Sequence, residues 1–263
     1  MNTKFRDKPA AYPARGADGK PLKPLPQVLL DRRATAHFKP DSVPEEYLEA
    51  ILRFGTQAPS GYNLQPWRFL VVREKENRQR LKTAAFGQQK IAEAPVVIIA
   101  YAIQNDWRNY FDDILEEGVR RGCTSRDTLP ELKPQAANFL EKQISQSVWL
   151  NRQTMIAVTS MMLLAGTFGL DTAPMEGFDP SAIGRAFGLP ENAEVIALLA
   201  VGFAREPKKP YGGRLDLSEI VHDEHFGRPW VGHGDDNAHD SSRRMFDQIR
   251  RQANEPYLPA PME

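Results

Sequence analysis

Three stretches of this sequence gather side chains and backbone that could hold a charged or planar ligand. Arg32-Arg33-Ala34-Thr35-Ala36-His37-Phe38 sets two guanidinium groups side by side. Guanidinium keeps its charge and offers several donors in a fixed plane, so such a pair suits a phosphate or the polar edge of a ring; the same pair is also ordinary solvated surface. Ala58-Pro59-Ser60-Gly61-Tyr62-Asn63-Leu64-Gln65-Pro66-Trp67-Arg68-Phe69 is a turn-rich run of small and amide residues. Gly61 permits close backbone approach, and Asn63 and Gln65 each offer a donor and an acceptor. That combination could cradle a heteroatom-rich ring, or it could be a plain helix-to-strand turn. Pro174-Met175-Glu176-Gly177-Phe178-Asp179 is an extended stretch ending at glycine. It can present backbone N–H groups to a ligand acceptor, or be a simple turn.

Other chemistry is absent by pattern. There is no G-x-x-x-x-G-K-[ST] phosphate loop, no G-x-G-x-x-G after a strand and no G-x-S-x-G elbow. His222-Asp223-Glu224-His225 lacks the H-E-x-x-H helix of a metalloprotease, and His233 and His239 beside Asp235 and Asp236 read as tail residues, so no metal site is expected. The lone Cys123 lies in a polar stretch; one cysteine allows no intrachain disulfide and fits a reducing compartment. The 34 basic and 34 acidic residues cancel, which argues against nucleic acid as partner. Residues 1–26 mix charges and prolines with no apolar core, unlike a signal peptide. Met155 to Leu164 is about half the length a bilayer needs. The expectation is a cytoplasmic protein without a membrane partner.

These stretches need elements to position them. The 263 residues, 41% apolar and 26% charged, suffice for a sizeable core. Residues 1–26 are expected to form an extended arm. A short helix is predicted over Pro26 to Arg33. Asp41-Ser42-Val43-Pro44 reads as a capped helix start, followed by apolar residues at helical spacing that fade near Thr56 to Pro59. Residues 67–73 read as a strand and 75–86 as a helix. Val96 to Ala102 and Val195 to Phe203 are continuously apolar, hence strands buried on both faces. Residues 106–146 look helical but interrupted around 122–134, a plausible lid. Residues 147–169 form a helix apolar nearly all round, a core or interface helix closed by Gly169. Asp171 to Pro174 is extended. Asp179-Pro180 caps a helix ended by Gly188 and Pro190. A last short helix is predicted near 241–252. The class is α+β: one small, mainly antiparallel central sheet wrapped by helices, with 1–26 as an N-terminal arm, 27–221 as the domain and 222–263 as a C-terminal extension.

Taken in this order, the Arg-Arg start, "APSGYNLQPWRF", "KIAEAPVVIIA", "WLNRQTMIAVTSMMLLAGTFGLDTAPMEGFD" and "VIALLAVGFA" resemble the nitroreductase family of flavoproteins. The resemblance spans roughly residues 27–221, and "PSGYNLQPW" and "PMEGF" are its most specific parts. It implies a homodimer with extended terminal arms that holds FMN non-covalently at the subunit interface. By position, Arg32, Arg33 and Arg214 would meet the phosphate and pyrimidine edge, and Gln88 and Lys90 the ribityl chain and pyrimidine edge. Pro59, Ser60 and Asn63 would lie against the ring from the partner subunit. Glu176 and Gly177 would offer N–H groups to flavin N5 and O4, with Pro174 and Met175 against one face. Many members carry Ser where Ala34 stands and Lys or Arg where Ala36 stands; His37 could substitute for the lost cation. The resemblance names no catalytic side chain. It implies ping-pong electron transfer from NAD(P)H, NADH or NADPH, to a nitroaromatic, quinone or related electron-poor small molecule. The alternatives are a specialised enzyme of the same fold, such as a reductive dehalogenase or an enone or azole oxidoreductase, and a non-enzymatic flavin-binding sensor.

Overall fold

A computed structural model describes Phe5 and residues 12–230. Four strands, β1 (Trp67–Val72), β2 (Val96–Ile103), β3 (Asp171–Met175) and β4 (Ala193–Gly202), form one sheet of order β1-β2-β4-β3 in which every neighbour is antiparallel. The two apolar runs are its central strands, as their patterning predicts. Side chains alternate across a strand, and here the alternation builds two cores. Ile98, Ala100, Leu199 and Val201 join one. Val97, Ile99, Leu198 and Ala200 join the other.

The first core is closed by α2 (Glu45–Gly55) and α7 (Gln146–Thr167), the second by α3 (Lys75–Ala84), α4 (Gln89–Glu93) and α8 (Pro180–Phe187). A third cluster packs Trp149, Leu150, Ile196 and Ala197 against the excursion between β2 and α7, which contains α5 (Phe111–Arg120) and α6 (Leu129–Asn138). Each fully buried aliphatic side chain contributes on the order of 1.5–3 kcal/mol, and all three clusters contain several.

Helix ends follow local chemistry. The Asp179 carboxylate accepts from the N–H groups of Ser181 and Ala182, and Gly188 ends α8 at φ 66°, as expected. Gly169, at φ 76°, closes α7. The start of α2 differs from expectation by a step. Pro44 itself occupies the cap with ψ 141° and no side chain caps the helix. Glu45 and Glu46 face the helix dipole instead. The interruption expected at 122–134 is shorter than read, because α6 begins at Leu129 with Pro130 in its first turn. Pro134 inside it forfeits one backbone bond. A π-helical turn, Phe139–Gln143, follows.

Residues 12–24 do not extend away from the domain. The Tyr12 ring lies 4.9 Å from Phe54 and 5.1 Å from Phe168. The N–H groups of Ala17 and Lys23 donate to the carbonyls of Phe168 and Thr167. The end of a helix has carbonyls without intrahelical partners, and this segment satisfies two of them. A short helix, α9 (Leu217–Ile220), capped by Asp216, was not foreseen. The helix expected near 241–252 lies outside the described residues.

Candidate functional site

The path to the arginine pair begins at α1 (Leu25–Asp31), which packs on α7. The contact needs glycine: a Cβ at Gly166 would lie 2.5 Å from Val28 Cγ1. At Arg32 the chain leaves the helix and becomes extended, with ψ 127°. Ala34 pairs with Thr172 of β3, Thr35 N–H donates to the Thr172 carbonyl, and Phe38 bridges to Ala204. Arg205 N–H donates to the His37 carbonyl. Residues 34–38 are thus stitched across the outgoing end of β4 and the start of β3.

The Arg33 Nη1 donates to the carbonyls of Leu30 and Arg32, at 2.7 and 2.9 Å, and so caps the end of α1. Its guanidinium also lies 5.0 Å from the centre of the Tyr211 ring, and Arg214 lies 5.7 Å from the same ring. Arg33 Nε is buried with no partner. Arg32 and Arg33 share one small cavity with Lys23, Asp171 and Lys208. A second, of about 40 Å³, joins Arg33, Ala34, Ala36 and His37 to Lys208 and Lys209. The structure therefore brings Arg32, Arg33, Ala34, Ala36 and Arg214 into one cationic corner.

His37 does not take the place of a free cation beside Ala36. Its Nδ1 is 3.1 Å from Glu93 Oε2 on α4, and Glu93 also accepts from Phe38 N–H and approaches Arg205. Burial pushes the Glu93 carboxyl up, but the hydrogen bonds from His37 and Phe38 and the charge of Arg205 outweigh it, so its pKa is lowered. A carboxylate with a lowered folded pKa adds stability above its unfolded value, lost as pH falls through the folded one. Glu93→Gln is therefore expected to show a stability deficit at neutral pH that shrinks once pH drops below the ordinary glutamate value near 4.5. Urea unfolding of both proteins across that range checks it; a deficit independent of pH would contradict the assignment.

A second group forms around the end of β3. Met175 is buried, Pro174 is half-buried, and Glu176 and Gly177 are exposed. Gln88 Nε2 donates to the Gly177 carbonyl at 2.7 Å, and Asp179 N–H donates to the carbonyl of Ala84. Those bonds fix the turn, while the N–H groups of Glu176 and Gly177 find no acceptor among the described residues. Lys90, half-buried on α4, forms no ion pair among them. Gln88 is thus bonded to the turn that follows Pro174, Met175 and Glu176, while no contact joins Lys90, two residues on, to that turn among the described residues.

The third group stands apart. Ser60 Oγ accepts from Gln65 N–H, and Gly61 N–H donates to Gln153 of α7. The ring of Tyr62 lies 6.5 Å from Phe111 and 6.2 Å from Phe139 of the excursion. Tyr62, Asn63 and Gln65 all adopt positive φ, which is unusual for residues with a Cβ. Asn63, with Arg68, Gly118 and Cys123, lines a cleft of about 440 Å³. No hydrogen bond or ring contact among the described residues joins Pro59, Ser60 or Asn63 to the other two groups.

Sequence reading missed Tyr211, Lys209, Glu93 and Gln153. Tyr211 stands just before Gly212 and Gly213, the latter at φ 79°; an aromatic beside a glycine turn near Arg214 was the available signal. In the tail, the His222 ring meets Phe226 edge-on at 4.8 Å, and no cluster of metal-binding side chains forms among the described residues. His233 and His239 lie outside them. No described helix is long and apolar enough to cross a membrane.

A family model described as "Nitroreductase family" matches residues 29–203. A Thermus thermophilus protein named "NADH dehydrogenase" is 35% identical over 201 residues, covering 76% of this chain and 96% of the relative. Among solved structures, the Bacillus subtilis protein ydfN superposes with a TM-score of 0.70 at 25% identity, over 75% of this chain and 97% of its own. An Exiguobacterium sibiricum protein solved in complex with FMN gives a TM-score of 0.70 at 23% identity, over 81% of this chain and all of its own.

Proposed function

This chain belongs to the nitroreductase family of oxidoreductases, and on that premise we propose that it binds FMN and passes electrons from NAD(P)H to a small electron-poor acceptor. Nitroaromatics and quinones are the leading acceptor classes, used by a ping-pong sequence in which donor and acceptor enter the same opening in turn.

The residues present fit the cofactor. The carrying observation is the cationic corner: Arg32, Arg33 and Arg214 have no carboxylate partner among the described residues, and Arg33 keeps a buried Nε unpaired. A buried donor without an acceptor costs stability, and an anionic group supplies one. The turn at Glu176 and Gly177 offers the complementary feature, two exposed N–H groups with no acceptor of their own. A relative of the same fold was solved with FMN bound.

Each group then has a task. Arg32, Arg33 and Arg214 would hold the phosphate. Lys90 would reach the ribityl chain or the pyrimidine edge, where positive charge favours the reduced, anionic ring. Gln88, already bonded to the Gly177 carbonyl, positions the turn whose N–H groups would meet N5 and O4. Met175 and Pro174 back one face, and the methyls of Ala34 and Ala36 leave the approach open. When bound, FMN supplies the hydride acceptor and donor, so no protein nucleophile is required. Pro59, Ser60 and Asn63 make no hydrogen bond or ring contact with the rest of the site among the described residues, which is compatible with a homodimer in which that loop would serve the partner's cofactor.

The test is direct. Purified protein incubated with FMN should hold the flavin through gel filtration, elute as a dimer and bleach anaerobically when NADH or NADPH is added. A colourless monomer in the presence of excess FMN would overturn the reading. Bound FMN that neither nicotinamide reduces would overturn its enzymatic part.

A further inference from the structure

Glu93 ends α4, and two other segments of the chain converge on its carboxylate. His37 Nδ1 lies 3.1 Å from Oε2 and 3.4 Å from Oε1, Phe38 N–H donates to Oε2 at 3.3 Å, and Arg205 Nη1 is 3.7 Å from Oε1. Arg205 also approaches Glu206, at 3.8 Å. The Glu93 side chain is only 16% exposed. The three segments joined here are ones the cofactor reading needs. Residues 33–38 carry Arg33, and the return after β4 carries Arg214. Helix α4 carries Lys90 and is preceded by Gln88, which holds the Gly177 carbonyl. The knot therefore lies on the chain path that links the arginine corner to the turn at Gly177.

The knot does not seat these segments in the fold. Ala34 pairs with Thr172, and Phe38 bridges to Ala204 and packs so closely on Gly202 that a Cβ there would lie 3.0 Å from its ring. Helix α4 is seated by Ile91 in the second core. Among the described residues, the hydrogen bonds between residues 33–38 and α4 all end on the Glu93 carboxylate. By charge alone a carboxylate here is a handicap. His37 lines the cavity shared by Arg33, Ala34 and Ala36, so Glu93 stands one side chain behind it and repels an anion held there. What it contributes is geometry.

We propose that Glu93 is a positioning residue for FMN, holding the arginine corner and the turn at Gly177 at a separation that lets one ligand engage both. The proposal rests on the cofactor reading given above. A ligand gripped at two ends gains from the second contact only where the span fits. Riboflavin, which lacks the phosphate, uses one end and does not sense the span.

The experiment measures FMN and riboflavin affinities by fluorescence quenching on flavin-free full-length protein, with a thermal melt of each variant. Glu93→Gln keeps the shape and removes the charge. It is expected to bind FMN about tenfold more weakly, the worth of one hydrogen bond to a charged group, and riboflavin as the wild type does. Loss of a nearby anion acting through charge alone has the opposite sign, a stronger preference for FMN. An unchanged or increased preference overturns the proposal, and so does a parallel loss of both flavins. His37→Gln cuts the same tie from its more exposed end and serves if Glu93→Gln does not fold. It is read at low and high salt, because salt screens a charge effect and leaves a positional one. A reduced FMN preference that persists at high salt supports the proposal; one that disappears overturns it. Wild-type protein that binds neither flavin overturns the cofactor reading as well.

Discussion

Arg32→Ala is expected to weaken FMN binding by roughly ten- to a hundredfold while leaving the protein folded. Hydrogen bonds to a charged partner are worth about 1.5–3 kcal/mol, and each 1.4 kcal/mol is a factor of ten. Among the described residues Arg32 donates through its backbone N–H alone, to the Val28 carbonyl, which alanine keeps. Its side chain makes no ion pair among the described residues, so the substitution removes charge without breaking a structural contact. Arg33 would be a poorer choice, because Arg33→Ala also strips two bonds from the end of α1 and confounds binding with folding. The measurement is a flavin titration alongside a thermal melt of the flavin-free protein. Unchanged affinity with an unchanged melt would remove Arg32 from the phosphate site.

Phe168→Ala carries the largest expected effect on stability, a loss of about 3–5 kcal/mol. Phe168 is fully buried at the end of α7. Its ring meets Tyr47 of α2 at 5.6 Å and Tyr12 at 5.1 Å, and its carbonyl accepts from Ala17 N–H. One side chain thus joins the first core, helix α2 and the N-terminal segment. Truncation leaves a cavity among core side chains already packed in low-energy positions, which do not collapse freely. Tyr12→Ala, on the rim, should cost much less. Urea unfolding of both variants checks the order. Similar costs for the two would mean that the N-terminal segment, rather than the core, dominates this contact.

Much of the fold was legible because short-range chemistry decided it. Val96 to Ala102 and Val195 to Phe203 are continuously apolar, so they read as strands buried on both faces, and they are the central strands. Asp179 and Gly188 announce both ends of α8. The misreadings arise where a distant partner decides. Residues 12–24 look like a free arm until the unpaired carbonyls of Thr167 and Phe168 are brought to them. His37 looks like a spare cation until α4 delivers Glu93. Within the site, the residue types at 32–36, 88–90 and 174–177 were readable, but the ring of Tyr211 between Arg33 and Arg214 was not, since it depends on a return of the chain across the sheet edge. The positive φ of Tyr62, Asn63 and Gln65 left no trace in residue type, because none of them is glycine.

Residues 12–28 and 204–214, which flank the sheet and its helices in sequence, are walls rather than appendages. A chain trimmed to the span matched by the family model, residues 29–203, would keep all four strands and both central cores. It would lose Tyr12 from the lid over Phe168, most of α1 from its seat on Gly166, and Lys209, Tyr211 and Arg214 from around Arg33. The shortest segment able to build the sheet is therefore shorter than the shortest able to build the cationic corner, and truncations should separate folding from anion capture.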